Sequence, residues 1–553
     1  MKTFIKKNGD VLCSVAIAIL LYCYYFGNII NPAYLDFHTP FNHNDIDRIG
    51  DIAQHYWGGV AYRVSEWTWP PFITKNICYP PGTSVLNTDS IPLMAIIFKV
   101  LHKIFGLSPL LQYEGLYGAI NFILQSIISV FIFRKIFAHK FLITLASCFF
   151  IISPPMIARL LKHQSLTSHW IILSAILLYL NDKFGVREVV WTTFLLSVSL
   201  FIHPYFFMMI APIILALVIK KRNTEETREQ LTLVNCVIIL IILYSSCYIL
   251  GAFDLSGCAS SEHVNEWSIN LNCLFNSLGN SKLLEALDWH SHNDDGLNYL
   301  GVGLIVLALL AISQLNLNMV IKNKHKEIVL ACLLLTLFSL GPKVHLGTAP
   351  IFNIELLFLE KMYIFRSVGR FFWPVWYLLV ISFMRIVSIR CSVRSMSALL
   401  SLLLVVQFID ITPLLERKSE AIAKNTRHRK SDSILKSEKW NVLFFKYSHV
   451  FFTSNTYGYK MGLYFWQKIP AYNITVNFGY LTRPPISAEE SIINAERSLL
   501  RGEKPTDGDD ETIYILSDLL YQLLLNSKNS RVIKMRSKIQ KLDGIKFLLH
   551  SQM

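Results

Sequence analysis

The sequence predicts a mostly helical, all-α polytopic membrane protein that ends in a water-soluble α/β segment. Hydrophobic residues make up 53% of the 553 residues and charged residues only 16%, and the mean hydropathy is positive, at +0.42. Apolar runs of about the length of a membrane span recur along the chain, and Lys and Arg collect between them. A soluble domain does not need so apolar a composition to fill its core, so the composition indicates a bilayer as the solvent.

The formal net charge of +14 raises the question of nucleic acid binding. The basic residues stand in short clusters between apolar runs, however, as they do in the cytoplasmic loops of membrane proteins. We therefore expect membrane lipid, and no nucleic acid, as a partner.

Eleven stretches are candidates for membrane spans, because a span needs about twenty mostly apolar residues. The first run follows MKTFIKKNGD and is long enough to cross, and it lacks a small-residue cleavage site, so we expect a retained helix rather than a signal peptide. A tight external turn at His203-Pro204 separates two of the runs. The stretches are 11–30, 111–133, 141–158, 168–182, 189–202, 204–220, 231–251, 297–315, 328–341, 371–388 and 396–412.

The distribution of basic residues predicts the orientation. With the N-terminus in the cytoplasm, every predicted internal loop is basic, for example Arg134-Lys135 and Lys220-Lys221-Arg222. An odd number of spans then leaves the C-terminus outside, and the long external segments are 31–110, 252–296, 342–370 and the tail from 413. We therefore expect a membrane domain over 1–412, with a large first external loop at 31–110, and a soluble domain over 413–553.

The first external loop is predicted to be structured. Its pattern indicates an amphipathic helix near 50–66, Pro-rich turns at Pro70-Pro71 and Pro80-Pro81-Gly82, and a second helix over 91–106. The second helix is too short and too basic to span, so we expect it to lie on the external membrane surface. Large loops between spans usually carry function.

The tail is predicted to be a small α/β domain. Its short β-rich runs are 442–445, 450–452 and 514–516, and its helical patterns lie near 487–501 and 517–526.

Three acids, Asp45, Asp47 and Asp51, crowd the start of the first amphipathic helix. If the helix starts near Gly50, Asp51 shares a face with His55 and Tyr62 and lies close to the positive end of the helix dipole. Such an Asp stays ionised and can serve as a general base. The alternative interpretation is that these acids cap the helix, which Asp commonly does.

Asp89 lies between Thr88 and Ser90, directly ahead of the second helix. Capping is the simplest explanation of this triplet. The alternative is that Asp89 supplies a second carboxylate to the same cavity as Asp51.

Basic and neutral donors are predicted at the same external level, where they could bind a phosphate. On an α-helix Arg366 and Arg370 are four residues apart, so both guanidinium groups could hold one phosphate. The alternative is that each residue anchors the end of a span at the headgroup layer. The remaining members of this predicted group are Arg159, Lys162, His163, His169 and His203.

External acids facing basic groups at the membrane boundary suit an enzyme that brings a hydroxyl acceptor onto a membrane-embedded phosphate ester, that is, a lipid-phosphate-dependent transferase. They also suit a transporter or flippase for an anionic lipid. Ion-coupled transporters generally need ionisable residues at mid-depth, and these are scarce in the apolar runs.

The sequence resembles the GT-C superfamily of polyprenyl-phosphate-sugar-dependent glycosyltransferases, which share an Asp-bearing helix in an early external loop followed by a Pro-Pro-Gly turn and an interfacial helix. It looks most like a branch of large bacterial membrane proteins that is assigned to GT-C-type glycosyltransferases acting on cell-surface polysaccharide. The resemblance covers about residues 10–410. The matching strings are GDIAQHYWGGVAYR, TDSIPLMAIIFK, LLQYEGLYGAINFILQS, HQSLTSHWIILSAILLYL, FIHPYFF, EWSINLNCLFN, GLNYLGVG, LGPKV and FRSVGRFFWP.

The resemblance implies roles for individual residues. The catalytic base of the superfamily carries onto Asp51, with Asp45 and Asp47 as rivals. The Asp-Glu pair typical of several branches is absent around Asp51, so the use of a divalent metal stays open. The residues expected to bind the lipid phosphate or to line the cavity are Arg366, Arg370, His163, Arg159, His55, His203 and Asp89.

The function implied is an inverting transfer of a single sugar, with glucose as the suggested one, from undecaprenyl phosphate to a periplasmic-face glycan such as O-antigen lipopolysaccharide. The protein would then lie in the bacterial inner membrane, with a polyprenyl-phosphate-linked donor and a lipid-linked or lipopolysaccharide acceptor as partners. Two alternatives stay open: a transporter or flippase of lipid-linked sugar, and an O-antigen polymerase or ligase.

Overall fold

A computed structural model describes most of the chain. The described residues are 2–34, 46–181, 185–221, 233–253, 261–291, 295–315, 325–353, 364–424, 434–454, 458–479, 481 and 485–553.

Helices dominate the described residues. In chain order they are α1 Lys2–Phe26, α2 Ile46–Val64, α3 Pro92–Phe105, α4 Glu114–Phe133, α5 Lys140–Ile151, α6 Pro154–Arg159, α7 Trp170–Leu180, α8 Val186–Ile202, α9 Pro204–Lys221, α10 Leu233–Ile249, α11 Ser261–Glu266, α12 Val302–Ser313, α13 Lys326–Ser339, α14 Trp373–Arg390, α15 Val393–Lys424, α16 Lys439–Lys446, α17 Gly458–Trp466, α18 Ile469–Tyr472, α19 Ile486–Arg501, α20 Asp518–Asn526 and α21 Ser530–Arg536.

The strands are short. They are β1 Ile73–Thr74, β2 Thr83–Ser84, β3 Lys343–Leu346, β4 Ala349–Asn353, β5 His449–Phe452, β6 Thr475–Val476, β7 Thr512–Leu516, β8 Gln540–Leu542 and β9 Ile545–Leu549.

The chain is a membrane protein: among the described residues, six helices are long and apolar enough to cross a bilayer. Three shorter apolar helices, together with α8 and α13, coincide with the other five predicted spans, so the number eleven stays a prediction. The six are Asn8–Ile30, Glu114–Phe133, Lys140–Arg159, Pro204–Lys221, Val368–Arg390 and Val393–Ile422, and the three are Gln164–Leu180, Asn235–Ile249 and Val302–Ser313.

The chain forms two compact units. The first contains residues 1–31, 114–243 and 257–423, and the second contains 32–113, 244–256 and 424–553. The first external loop of the sequence prediction thus belongs to the same unit as the C-terminal segment. The predicted assignment of 1–412 to the membrane and of 413–553 to the periplasm stays a prediction.

In the first unit, α4 packs against α1, α5 and α7, and α9 packs against α7, α8 and α13. The helices α8 and α9 lie side by side with only His203 between them, as the tight turn ahead of Pro204 requires. An ion pair ties the end of α4 to α1: Arg134, the residue directly after α4, donates from Nε and Nη2 to the buried carboxylate of Asp10 in α1, at 2.8 and 2.6 Å. An Arg–carboxylate pair with two parallel hydrogen bonds, as here, is stronger than one with a single bond.

In the second unit, residues 449–549 build a five-stranded sheet in the order β6-β5-β7-β9-β8. The strands β6, β5 and β7 are parallel, whereas β9 runs antiparallel to both β7 and β8. Helix α19 joins β6 to β7, as a parallel crossover requires. The predicted β-rich runs 450–452 and 514–516 and both predicted helical patterns agree with these elements.

One predicted strand of the tail is wrong. Residues 442–445 lie within α16, because Trp440 and Phe444, four residues apart, are buried on one face. A short apolar run cannot be assigned to strand or helix without its flanking residues.

Candidate functional site

The helix α2 carries the acidic face expected from the sequence, but it begins at Ile46 rather than near Gly50. Asp51 therefore lies in the second turn or later and does not cap the helix. At that position the helix dipole stabilises the Asp51 carboxylate less than it would in the first turn. Asp51 and His55 are one turn apart, so they share a face. Asp51 is partly exposed and His55 is buried. Asp45 and the side chain of Asp47 lie outside the described part of the chain.

Asp89 lies against His55. Its carboxylate Oδ2 is 3.2 Å from Nε2 of His55, and its side chain is 12% exposed. The capping interpretation of Asp89 is wrong, because Ile91 is the N-cap of α3 and makes no side-chain capping bond. Asp89 instead ends a 3₁₀ turn, Val85–Thr88, in the left-handed conformation (φ 53°), which Asp tolerates better than most residues.

Close packing fixes the loop that carries Asp89 onto α2. Gly58 has no room for a side chain, since a Cβ there would lie 2.4 Å from Cβ of Thr88. The Ser90 hydroxyl donates to the carbonyl of His55 at 2.5 Å, and the hydroxyl of Tyr113 donates to the carbonyl of Ser90. The backbone at Ile91 also has a positive φ (50°), which is strained for a β-branched residue. Strain of this kind is often retained at functional sites.

The opposite face of α2 belongs to the apolar core of the C-terminal sheet. This face is fully buried against α17 and α18 in the second unit. The residues concerned are Ala53, Tyr56, Trp57, Val60 and Ala61. One face of α2 therefore anchors the helix, and the other presents Asp51 and His55.

Two lysines of α3 hold the C-terminal end of α2. Lys99 Nζ donates to the Ser65 hydroxyl at 3.0 Å and to the Glu66 carbonyl at 3.1 Å, and Lys103 donates to the Val64 carbonyl at 3.1 Å. Burial lowers the pKa of Lys99 to about 8, with a further contribution from Lys103. Positive charge at this end is favourable for the helix dipole.

The first unit contains a buried charge cluster that the sequence did not predict as such. Asp295 is fully buried and accepts hydrogen bonds from Nη1 of Arg159 and, at 2.6 Å, from Nη2 of Arg370. The Ser367 hydroxyl donates to the same carboxylate at 2.9 Å. Burial alone raises the pKa of the Asp295 carboxyl, but the charges of Arg370 and Arg159, then those of His163 and Lys162, hold it well below its usual value.

Glycines allow the segments of this cluster to meet. A Cβ on Gly369 would lie 2.9 Å from the Trp267 carbonyl and 3.0 Å from Cα of Gly296, so the backbone before α14 touches both neighbouring loops. Gly369 N–H donates to the Trp267 carbonyl at 2.9 Å. The two members of the ion pair, Arg370 and Asp295, each directly adjoin one of these glycines.

The predicted pairing of Arg366 with Arg370 on one α-helix is not observed. Residues 368–372 form a 3₁₀ turn and α14 begins only at Trp373. Arg370 binds Asp295, whereas the Arg366 guanidinium lies 5.2 Å from the centre of the Trp267 ring.

The residues of the first unit that the sequence predicted as phosphate ligands differ in how closely they approach this cluster. Arg159 and Arg370 contact Asp295 directly, and His163 acts on it through its charge. The His203 ring packs against the Tyr205 ring at 5.1 Å. The Tyr205 hydroxyl accepts from Ser367 N–H at 2.9 Å, and the Arg370 guanidinium lies over its ring.

Asp295 is the residue that sequence reasoning missed. One local signal existed: Asp294-Asp295 directly precedes an apolar run at the end of a predicted external segment. Its partners lie 136 and 75 positions away in the chain, so no spacing could have indicated them.

The sequence profile of DUF6311, described as a domain of unknown function, matches residues 13–412, which is more than half of the chain. The chain belongs to the DUF6311 family. The buried cluster at Asp295 and the acidic face of α2 both lie within the DUF6311 region. No curated protein sequence matches this DUF6311 chain.

Among solved structures, the chain is similar to the archaeal oligosaccharyltransferase AglB from Archaeoglobus fulgidus, in complex with an inhibitory peptide and a dolichol-phosphate. The identity is 12% and the TM-score is 0.44, and the alignment covers 96% of this chain and 72% of AglB.

Proposed function

We propose that this DUF6311 protein is a GT-C-type glycosyltransferase that moves a sugar from a polyprenyl phosphate to a glycan acceptor. The observation that carries the proposal is the buried cluster in which Arg159 and Arg370 share the single carboxylate of Asp295. The charges of His163 and Lys162 act on the same carboxylate, so four basic side chains converge on this place. A concentration of positive charge attracts an anion. A phosphate fits a guanidinium fork in charge and in shape.

The acidic face of α2 supplies the other chemistry that the reaction needs. Asp51 takes the proton from the acceptor hydroxyl while the acceptor oxygen forms its bond to the anomeric carbon of the sugar. The bond from that carbon to the phosphate oxygen breaks in the same step, and the polyprenyl phosphate leaves with the electron pair. Asp45 and Asp47 are the rival bases.

Cationic and neutral donors stabilise the departing phosphate in this proposal. Arg366, Arg370 and His163 take this role, supported by Arg159. In this proposal His55, Asp89 and His203 orient the substrates.

The proposed donor is undecaprenyl phosphate carrying a single hexose such as glucose, and the proposed acceptor is an O-antigen or another lipid-linked glycan. The reaction would take place on the periplasmic face of the bacterial inner membrane. The proposal does not depend on a divalent metal, and removal of metal with EDTA tests whether one takes part.

Transport of lipid-linked sugar is a second candidate, and one observation favours it. Buried polar side chains form a network between the membrane helices. The Tyr377 hydroxyl contacts Gln125 at 2.9 Å, His169 at 2.9 Å and Ser153 at 3.0 Å. Polar groups at membrane depth often mark a pathway. The polymerase or ligase alternative has no specific contact in its favour among the described residues.

The experiment that tests the proposal compares wild type with Asp51→Asn in membranes supplied with undecaprenyl-phosphate-linked radioactive hexose and lipopolysaccharide. Asp510→Asn is the matched control, because the Asp510 side chain is 80% exposed. Transfer by wild type and control, with a loss of about 10²–10⁴-fold in Asp51→Asn, supports an essential base at position 51.

Full transfer by Asp51→Asn would remove Asp51 from the mechanism and leave Asp45, Asp47 or Asp89 as the base. Movement of the donor across the membrane by wild type, without transfer to any acceptor, would replace the transferase with the transporter.

A further inference from the structure

A patch of exposed apolar side chains lies in the first unit outside the membrane-spanning helices. Each of its six members is 40–52% exposed. Exposed apolar side chains that are clustered, rather than scattered singly, mark an interaction site. Three members belong to residues 281–288, here named the leucine loop, and three to the β3–β4 hairpin. The residues are Leu283, Leu284 and Leu287 of the leucine loop, and Leu346, Ile351 and Phe352 of the hairpin.

The leucine loop packs against the turn of the hairpin. Gly347, in the turn of the hairpin, packs on Asp288, since a Cβ there would lie 3.5 Å from Cβ of Asp288. Asn270 holds the same turn through two hydrogen bonds, one to the carbonyl of Gly347 at 2.8 Å and one from its N–H at 3.0 Å. The Asn272 side chain donates to the Asp288 carbonyl at 3.0 Å.

The start of the leucine loop is tied to a membrane-spanning helix. Ser281 donates to the Asp410 carboxylate, and Lys282 N–H donates to the Asp410 carbonyl at 2.8 Å. Asp410 lies in the apolar span Val393–Ile422. At 1.5 Å per residue it is roughly 25 Å along the helix from Val393, close to the far boundary of a hydrocarbon core about 30 Å thick. The next anchor, Arg417, donates to the Gly279 carbonyl at 2.8 Å.

The exposed face of α15 is apolar up to the level of this anchor. Leu402, Val405 and Ile409 are 63%, 57% and 42% exposed, as expected of a surface that faces lipid. The leucine loop begins where this face ends, so its apolar surface continues the lipid-facing surface of the span.

Several backbone groups of the leucine loop have hydrogen-bond partners within the protein, as an environment poor in water requires. The N–H groups of Leu283 and Leu284 donate to the Ser281 hydroxyl, at 3.0 and 2.8 Å. Leu287 N–H donates to Asn276 Oδ1 at 3.0 Å, and the Asn276 amide donates to the Leu287 carbonyl at 2.8 Å. An irregular segment that contacts lipid needs such internal partners, because lipid supplies none.

We propose that the leucine loop and the β3–β4 hairpin insert their apolar side chains into the boundary between headgroups and acyl chains of the bilayer that the protein spans. The exposed Lys282, Glu285 and Asp288 of the same loop place it at this boundary and not in the hydrocarbon core, where their burial would be costly. This inference is independent of the glycosyl transfer proposed above.

Photocrosslinking in native membranes tests the proposal. The full chain is expressed with p-benzoylphenylalanine in place of Leu284 or of Phe352, irradiated, and analysed by mass spectrometry for lipid adducts. Leu402, on the exposed face of α15, is the positive control. Glu266, an exposed charged residue in the same stretch between α10 and α12, is the negative control.

We expect lipid adducts at positions 284, 352 and 402, and at least tenfold fewer at 266. Adducts at 402 with none at 284 or 352 would overturn the proposal. Crosslinks from 284 or 352 to another protein or to a second copy of this chain, in place of lipid, would overturn it as well.

Discussion

Nε2 of His55 and Oδ2 of Asp89 lie 3.2 Å apart, although the two residues are 34 positions apart in the chain. The pair forms because the loop before α3 packs directly on α2 at Gly58. A carboxylate in this position fixes the orientation of the imidazole ring.

If the two side chains act as a unit, His55→Gln and Asp89→Asn should each lower the rate of sugar transfer by about 10- to 100-fold, and the double variant should lose no more than the worse single one. Initial rates of transfer at matched protein levels measure this. Losses that multiply in the double variant would show that the two residues act independently.

Asp295→Ala should destabilise the protein by about 3–5 kcal/mol, because it leaves Arg159 and Arg370 buried without their shared counter-charge. Thermal unfolding of the purified protein in detergent measures the effect. Asp518→Asn is the matched control: its carboxylate is 87% exposed beside Lys546, and its loss should change stability by less than about 1 kcal/mol. Equal melting temperatures for the two variants would contradict the structural role of Asp295.

Gly58→Ala should displace the loop of Asp89 from α2, since the added methyl group would meet the Thr88 side chain at 2.4 Å. We expect a cost of about 1–3 kcal/mol from overpacking, together with loss of transfer. Gly9→Ala is the control, because a Cβ there meets nothing within 4 Å and α1 should gain slightly in stability. Unchanged stability and activity in Gly58→Ala would rule out the close packing.

The stacked rings of His290 and His345, 4.3 Å apart, predict a loss of local stability in acid. Burial lowers the pKa of both histidines. The charge of His345 lowers the pKa of His290 further, and the charge of Lys343 lowers the pKa of His345, whereas a backbone hydrogen bond to each ring acts in the opposite direction. A pKa depressed in the folded state means that the unfolded state binds the proton more tightly. The stability is then fully present above the ordinary histidine pKa of about 6.5 and falls as the pH drops below it.

Amide hydrogen exchange over residues 268–291 at pH 7.5 and pH 5.5 measures this prediction, after correction for the intrinsic exchange rates. We expect several-fold weaker protection at pH 5.5 in the wild type and a smaller difference in His345→Gln. Equal protection at the two pH values would contradict the prediction.

Much of the helical architecture was predictable, because hydropathy reports the cost of placing polar groups in lipid. Each of the eleven predicted spans coincides with a helix, and six of those helices are long and apolar enough to cross a membrane. The run 141–158 is interrupted between α5 and α6 at Ser153, directly ahead of Pro154-Pro155, where prolines start a new helix more easily than they continue one.

Only those residues of the candidate site that share one face of a single helix could be placed together from the sequence. The spacing of Asp51 and His55 sufficed to place them together. The left-handed backbone at Asp89 and the burial of Asp295 between two distant arginines depend on tertiary packing, which no local pattern records.

The second unit has a consequence for how the protein is made. Ile77 forms a parallel bridge with Val476, and Asn76 accepts a hydrogen bond from the same residue, so a segment near α2 completes the edge of the C-terminal sheet. At a synthesis rate of 5–20 residues per second, roughly 20–80 s pass between the translation of these two partners. Helix α2 and Asp51 therefore leave the ribosome long before the residues of α17 and α18 that anchor this helix.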